Sequence, residues 1–280
     1  MNKIAALLTV HNRREKTLKC LNALENCSLS ENYSLDVYLV DDGCNDGTSE
    51  AVAEQFPQIN IVQGTGNLYW NRGMYLAWTI AVKSKDYEFY LWLNDDTVIY
   101  PDAIRELVET SESENHRSII CGATCATDNP QKITYGGRNS IKTVITPSGQ
   151  KQKCRYMNGN ILLVPKFVYL KLGTNDPYFL HSLGDYDYGL RARKLGIDVI
   201  IAPKVLGMCD EHERFAAWCN PDTHVIKRFK LLYTPLGNHP IQFFVYERRH
   251  FGLIISCFHF FTIHFRALFP NFWKNTKTRG

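Results

Sequence analysis

Short apolar runs alternate with helix-period segments through the first hundred residues. IAALLTV (4–10) is one such run, and EKTLKCLNALENC after it sets Leu18, Leu21 and Leu24 at helical spacing. LDVYLVDD (35–42) is followed by TSEAVAEQF (48–56), with Thr48 or Ser49 as the expected N-cap. INIVQG (59–64) precedes MYLAWTIAVKS (74–84), and YEFYLWLNDD (87–96) precedes PDAIRELVETSES (101–113), with Pro101 near its first turn. Strands alternating with helices predict an α/β fold, a mostly parallel sheet with helices on both faces.

Each apolar run ends in polar residues: Thr9, His11, Asn12 and Arg13 after the first, Asp41 and Asp42 after the second, Asn94, Asp95 and Asp96 after the fourth. Ligands of open α/β sheets bind where the carboxyl ends of the strands converge, so these clusters predict one shared pocket. Adjacent carboxylates at the edge of a core repel and are costly to bury, which leaves a bound cation or a solvated turn as the readings of Asn94-Asp95-Asp96.

The second half is less regular. SIICGATCAT (118–127) reads as a strand and NILLVPKFVYLKLG (160–173) as a strand leading into a helix, separated by hairpin or loop material. In FLHSLGDYDYGLRARKLGIDVIIAP (179–203), Asp185 and Asp187 stand before an expected helix that Gly196 would end. With 280 residues, 45% of them hydrophobic, the chain can build a sizeable core. A net charge of +4 argues against nucleic acid as the partner. The nine cysteines are scattered without a CxxC pair, against a disulfide framework or structural zinc and in favour of a reducing cytoplasm.

TVHNR, VDDGCNDGT (40–48), GTGNLYWNRGM (64–74), NDD (94–96) and GDYDYGLRARKLG (184–196) occur in one order. Together the five motifs resemble those of the family 2 glycosyltransferases, inverting enzymes of the GT-A fold that use nucleotide-sugar donors. The resemblance spans roughly residues 3 to 215, and GNLYWNRGM is similar to a segment of bacterial enzymes building rhamnose-containing surface polysaccharides, as in O-antigen or capsule. It implies a Rossmann-like central sheet with a C-terminal helical appendage. The expected division is a catalytic domain at 1–220 (nucleotide-sugar half 1–112, acceptor half 113–220) and a basic helical segment at 221–280.

The resemblance also implies roles. Asn94-Asp95-Asp96 stands in the place of the family's D-x-D motif, with Asp96 as the ligand of Mn²⁺ or Mg²⁺ and Asn94 and Asp95 on the donor side. Oxygen ligands suit such an ion, which would neutralise charge on a departing diphosphate. Asp41 and Asp42 fall where the family meets the base and ribose. Thr9, His11, Asn12 and Arg13 would line the other side, with Asn67, the flat face of Trp70, and Gly73 allowing close approach. Asp185 takes the position of the general base, Asp187 serving rather as a helix N-cap, while Gly184 replaces the family's usual Glu. His212 lies near a metal-binding His of many relatives, and Arg191 and Arg193 read as a solvated helix face. The expected partners are a dTDP-rhamnose or UDP-hexose donor and a glycan or lipid-linked acceptor. A sugar-phosphate nucleotidylyltransferase would need a glycine-rich loop after the first strand, which HNRREKT lacks; a non-catalytic sugar-nucleotide binder would lack the base.

From Lys227 onward, Glu247 is the single acid among nine Lys and Arg residues. FGLIISCFHFFTIHF (251–265) is fifteen residues long, short of the ~20 apolar residues a spanning helix requires. With Arg248, Arg249, Arg266 and Lys274 around it, the stretch 241–274 predicts an amphipathic helix on the cytoplasmic face of the inner membrane, with a body-packed helix or a homodimer contact as the alternative.

Overall fold

The computed structural model describes residues 1–211 and 216–273. Its strands and helices follow in the order β1 (Asn2–Val10), α1 (Arg14–Glu25), β2 (Tyr33–Asp41), α2 (Thr48–Gln55), β3 (Asn60–Gln63), α3 (Tyr69–Ser84), β4 (Phe89–Leu93), β5 (Val98–Ile99) and α4 (Ala103–Glu112). Next come β6 (Ile119–Cys125), β7 (Ile133–Tyr135), β8 (Gly137–Ser140), β9 (Thr143–Val144), β10 (Gln152–Lys153), β11 (Tyr156–Met157) and β12 (Ile161–Pro165). The rest are α5 (Lys166–Leu172), α6 (Gly184–Lys194), β13 (Val199–Met208), α7 (Val225–Leu232), α8 (Pro240–Phe251) and α9 (Leu253–Leu268).

The main sheet runs β10-β13-β6-β12-β4-β1-β2-β3. Its β4-β1-β2-β3 half is parallel throughout, β13 is parallel to β6, and β12 is antiparallel to both its neighbours, β4 and β6. The expected mostly parallel α/β sheet is what forms. Alternation along β1 shows why: Ile4, Ala6, Leu8 and Val10 enter one core with Leu21, Leu24 and Leu107 of α1 and α4, while Ala5 and Leu7 enter the other with Met74, Ala77 and Trp78 of α3. Strands covered on both faces can be apolar at every position, as β4 is. A smaller sheet, β11-β8-β9, stands beside it.

Local boundaries differ from expectation where distant residues intervene. The α2 N-cap is Gly47, with φ 78°, and Asp46 accepts from the Thr48 amide (3.1 Å), so Thr48 lies inside the helix. Helix α3 starts at Tyr69, five residues before Met74, and α6 starts at Gly184, placing Asp185 and Asp187 within its first turn.

The chain divides into two compact units, residues 1–177 with 184–211, and residues 178–183 with 212–280. The second contains α7, α8 and α9; Trp218, Leu232 of α7, and Ile263 and Ala267 of α9 form its core, while α8 packs on α9. Its Arg228 is buried and donates to the carbonyls of Ala267 (2.7 Å) and Thr223 (2.7 Å), pinning α7 to the end of α9.

Candidate active site

Where β4 ends, its pairing with β12 continues for one more bond, from the Asn94 amide to the Asn160 carbonyl (3.1 Å), and the chain then turns. Arg13 answers the two carboxylates that follow: its guanidinium donates to Asp95 Oδ1 (3.2 Å) and Asp96 Oδ2 (2.9 Å). Burial pulls the pKa of Arg13 down, but the charges of Asp95 and Asp96 outweigh this and raise it. Asp95, 6% exposed, is pushed up to about 7, by burial first and by Asp96 next, with Arg13 opposing. Cys209, just past β13, has its thiol 3.6 Å from Asp96 Oδ1 and its pKa raised by burial to about 12.

Among the described residues no three His, Cys, Asp or Glu side chains are grouped to hold a metal ion. The donor chemistry nonetheless fits one: the largely buried Asp95 and Asp96 stand side by side, and their oxygens are ligands of the kind Mn²⁺ or Mg²⁺ takes. His212 lies outside the described residues.

The loops after β1, β2 and β3 interlock. Asp42 accepts three backbone amides, from Gly66 (2.8 Å), Leu68 (2.9 Å) and Tyr69 (2.8 Å), so its carboxylate caps α3 from a distance. A Cβ on Gly43 would stand 2.8 Å from the Gly66 backbone, while Gly66, with open space around its own Cβ position, is held at φ 80°. Asp41 accepts from the Cys44 amide (2.7 Å) and the Ser49 hydroxyl. Burial opposes its ionisation, but these bonds outweigh burial and hold its carboxyl below the usual range. His11 Nδ1 lies 2.7 Å from the Asp42 carbonyl, and Asn12, at φ 51°, accepts from the Asn45 amide (2.8 Å). The strand-end clusters do converge, and they are engaged first with one another.

Helix α3 joins this wall to the acidic corner. The Trp70 indole N–H donates to Asn94 Oδ1 (2.7 Å), and its ring lies so close to Gly159 that a Cβ there would be 2.5 Å away. A Cβ on Gly73 would fall 2.1 Å from Thr9 Oγ1, so the close approach Gly73 allows is that of α3 to buried Thr9. Asn67 is exposed on the loop.

Asp185 accepts from the Gly159 amide (3.0 Å) and the Tyr186 amide (2.8 Å), and burial pushes its pKa up to about 6 against those bonds. Gly159 and Asn160 are consecutive, so one short loop holds Asp185 by its amide and Asn94 by its carbonyl. The Gly184 departure has a cause: a Cβ there would sit 1.8 Å from Asn71 Oδ1. Asn71 is fully buried, donates to the Asp176 carbonyl (2.8 Å) and accepts from Asn175 (2.8 Å). The space of the family's Glu is filled from α3. Asp187 is no N-cap; it is buried and pairs with Arg191 (2.8 Å), which also donates to the Leu172 and Thr174 carbonyls. Arg193 donates to the Cys154 carbonyl (3.2 Å) yet stands exposed, so the expected solvated helix face holds for Arg193, while Arg191 is turned inward.

Sequence reading missed Arg138, buried and held by Asn158 Oδ1 (2.9 Å), whose charge lowers the pKa of Asp185. It also missed Asn71 and Asn160, whereas Cys209, an alternative to His212 in the sequence, does stand beside Asp96. A lone Arg in a polar hairpin carries no signal for this; only the fold brings it near Asp185.

The chain matches the sequence model of glycosyl transferase family 2 over residues 6–170, more than half of its length. No curated protein sequence matches it. Among solved structures it is similar to Staphylococcus aureus TarS 1-349, at 13% identity and TM-score 0.57, covering 98% of this chain and 72% of that one. It is also similar to the mannosyltransferase PcManGT of Pyrobaculum calidifontis in complex with GDP-Man and Mn²⁺, at 14% identity and TM-score 0.56, covering 98% and 76%. GalNAc-T7 with UDP, GalNAc and Mn²⁺ aligns at 13% identity and TM-score 0.60, covering 83% of this chain and 48% of that one. At these identities the structures speak to the fold alone, and with the family match they lead to one conclusion: this chain belongs to glycosyl transferase family 2 and is a glycosyltransferase of the GT-A fold.

Proposed function

We propose that this glycosyltransferase moves a sugar, with inversion, from a nucleotide-diphosphate donor such as dTDP-rhamnose or a UDP-hexose to a hydroxyl of a bacterial surface glycan. The observation that carries the reading is Asp185: a carboxylate in the first turn of α6, pushed up to about 6 and linked through Gly159, Asn160 and Trp70 to Asn94 and the acidic pair beyond it. A single displacement needs a base on the face opposite the leaving group, and a carboxylate ionised at neutral pH yet more basic than a free aspartate suits that task. Asp185 takes the acceptor proton, with its two amide bonds fixing its orientation and Arg138 limiting the rise of its pKa.

On the donor side, Thr9, His11, Asn12, Asp41 and Asp42 shape the nucleotide wall, with Asn67, Trp70 and Gly73 completing it, and Asn94 and Asp95 meet the ribose and phosphates. Asp41 has one partner on each oxygen and keeps lone pairs for N–H or hydroxyl donors. Arg13 is the chain's own cation beside the diphosphate. A Mn²⁺ or Mg²⁺ ion held by Asp96, with His212 as a further ligand, would supply neutralisation of the leaving group's charge. The ions and nucleotides in the PcManGT and GalNAc-T7 complexes support this assignment. The acceptor is a lipid-linked saccharide of O-antigen or capsule type, met at the cytoplasmic face of the inner membrane through residues 241–274.

Asp185→Asn tests the base. Turnover is expected to fall by about 10²–10⁴-fold, while the donor-induced rise in melting temperature is retained. Full-rate transfer by the variant would remove Asp185 from the role; a wild type that binds donor and transfers nothing would favour the scaffold reading.

A further inference from the structure

In the first unit, among the described residues, the only large apolar side chains standing exposed are Met1, Ile141, Leu170 and Leu195. The others lie in the second unit, and α9 concentrates them. Ile254 (86% exposed), Phe258 (64%), Phe261 (72%), Phe265 and Leu268 follow one another at steps of four, three, four and three residues. That spacing lays them along one side of a helix. Phe272, in the helical turn after α9, stacks on Phe265 at 6.3 Å and is itself 76% exposed, which prolongs the stripe.

The opposite side of α9 is already occupied. Ile263 and Ala267 enter the core of the second unit, Ser256 is fully buried, His259 pairs with Glu247 of α8, and Phe260 meets Phe244 of α8 at 5.9 Å. Among the described residues, the helix is apolar on both sides and leaves Ile254, Phe258 and Phe261 of one side largely exposed, an arrangement that marks an interaction surface. No described helix is long and apolar enough to cross a membrane, so the exposed stripe does not report a span.

We infer that this stripe is an in-plane docking face for an anionic lipid surface, with Ile254, Phe258, Phe261 and Phe265 entering the headgroup boundary. Charge selects this occupant over a second copy of the chain. Lys227, Lys230 and Arg248 stand exposed on the unit, residues 248–273 contain no acid, and Glu247 is buried against His259. An isologous pair of such faces would bring like charges together, whereas anionic headgroups offset them. This gives a face to the membrane contact proposed above, and it rests on that reading; donor binding is read separately, so that the two can fail apart.

The test is flotation of the full chain with vesicles of phosphatidylcholine alone or with about a third phosphatidylglycerol, with light-scattering mass in solution alongside. The wild type is expected to float with the anionic vesicles only, and high salt should weaken it. Phe258→Ser/Phe261→Ser should stay at the bottom of the gradient, as should Phe258→Glu/Phe261→Glu, each with an unchanged donor-induced melting shift. Lys230→Glu/Arg248→Glu should lose the preference for anionic lipid. No flotation of the wild type, flotation equal in the serine variant, or a stable wild-type dimer that both apolar variants dissolve would overturn the inference.

Discussion

Arg13 and Asp185 can each be tested one side chain at a time. Because the Asp185 pKa is about 6, activity should rise with pH through that value and level off above it, falling about tenfold per unit below. A rate profile flat from pH 5 to 8 would contradict the assigned base. Asp95 works on stability. Its folded value of about 7 lies above the ordinary 3.8, so its contribution is fully present below about pH 4 and is lost as pH rises through 7. From pH 6 to 8 that is about 1 kcal/mol, and if Mn²⁺ is held by the ionised carboxylates as proposed, it should raise the melting temperature more at pH 8 than at pH 6. Arg13→Gln removes the cation that spans Asp95 and Asp96; titration calorimetry should show tighter Mn²⁺ binding without nucleotide and weaker donor binding. Asp95 and Asp96 were legible in the sequence as an acidic strand end. Their internal partner was not, since Arg13 is eighty-two residues away from Asp95 and no local pattern pairs them.

Among the elements, α3 shows how much a sequence window can hold and hide. The apolar period of MYLAWTIAVKS announces the helix, yet its start five residues earlier depends on Asp42, which receives the Leu68 and Tyr69 amides from the end of β2. The same helix makes two glycines obligatory elsewhere or within it. Gly73→Ala should cost roughly 1–3 kcal/mol by overpacking against Thr9, measured by chemical denaturation, and Thr9→Ala should recover part of the loss. At position 184, restoring the family's Glu should destabilise the protein because Asn71 fills that space, and Asn71→Gly should relieve it. Neither partner could be inferred from GDYD alone. The substitution was visible; its cause is a contact between α3 and α6.

At the scale of the whole molecule, the alternating first half fixed the sheet in advance because each buried strand needs helices on both faces, and period and composition record that need directly. The part of the first unit that follows α4 was less readable, since its short strands β7 to β11 are held by pairing with one another and with β6 and β13 rather than by long apolar runs. Sequence order also concealed the reversal of β12, and that reversal has a topological effect. A strand running with its neighbours delivers to the ligand-binding edge of a sheet the residues that come after it. One running against them delivers the residues that come before it, here Gly159 and Asn160, so the segment that steadies Asp185 arrives at the acidic corner on its way into the sheet. Loops upstream of β12 can therefore lengthen or change without disturbing the turns that leave β1, β2 and β4.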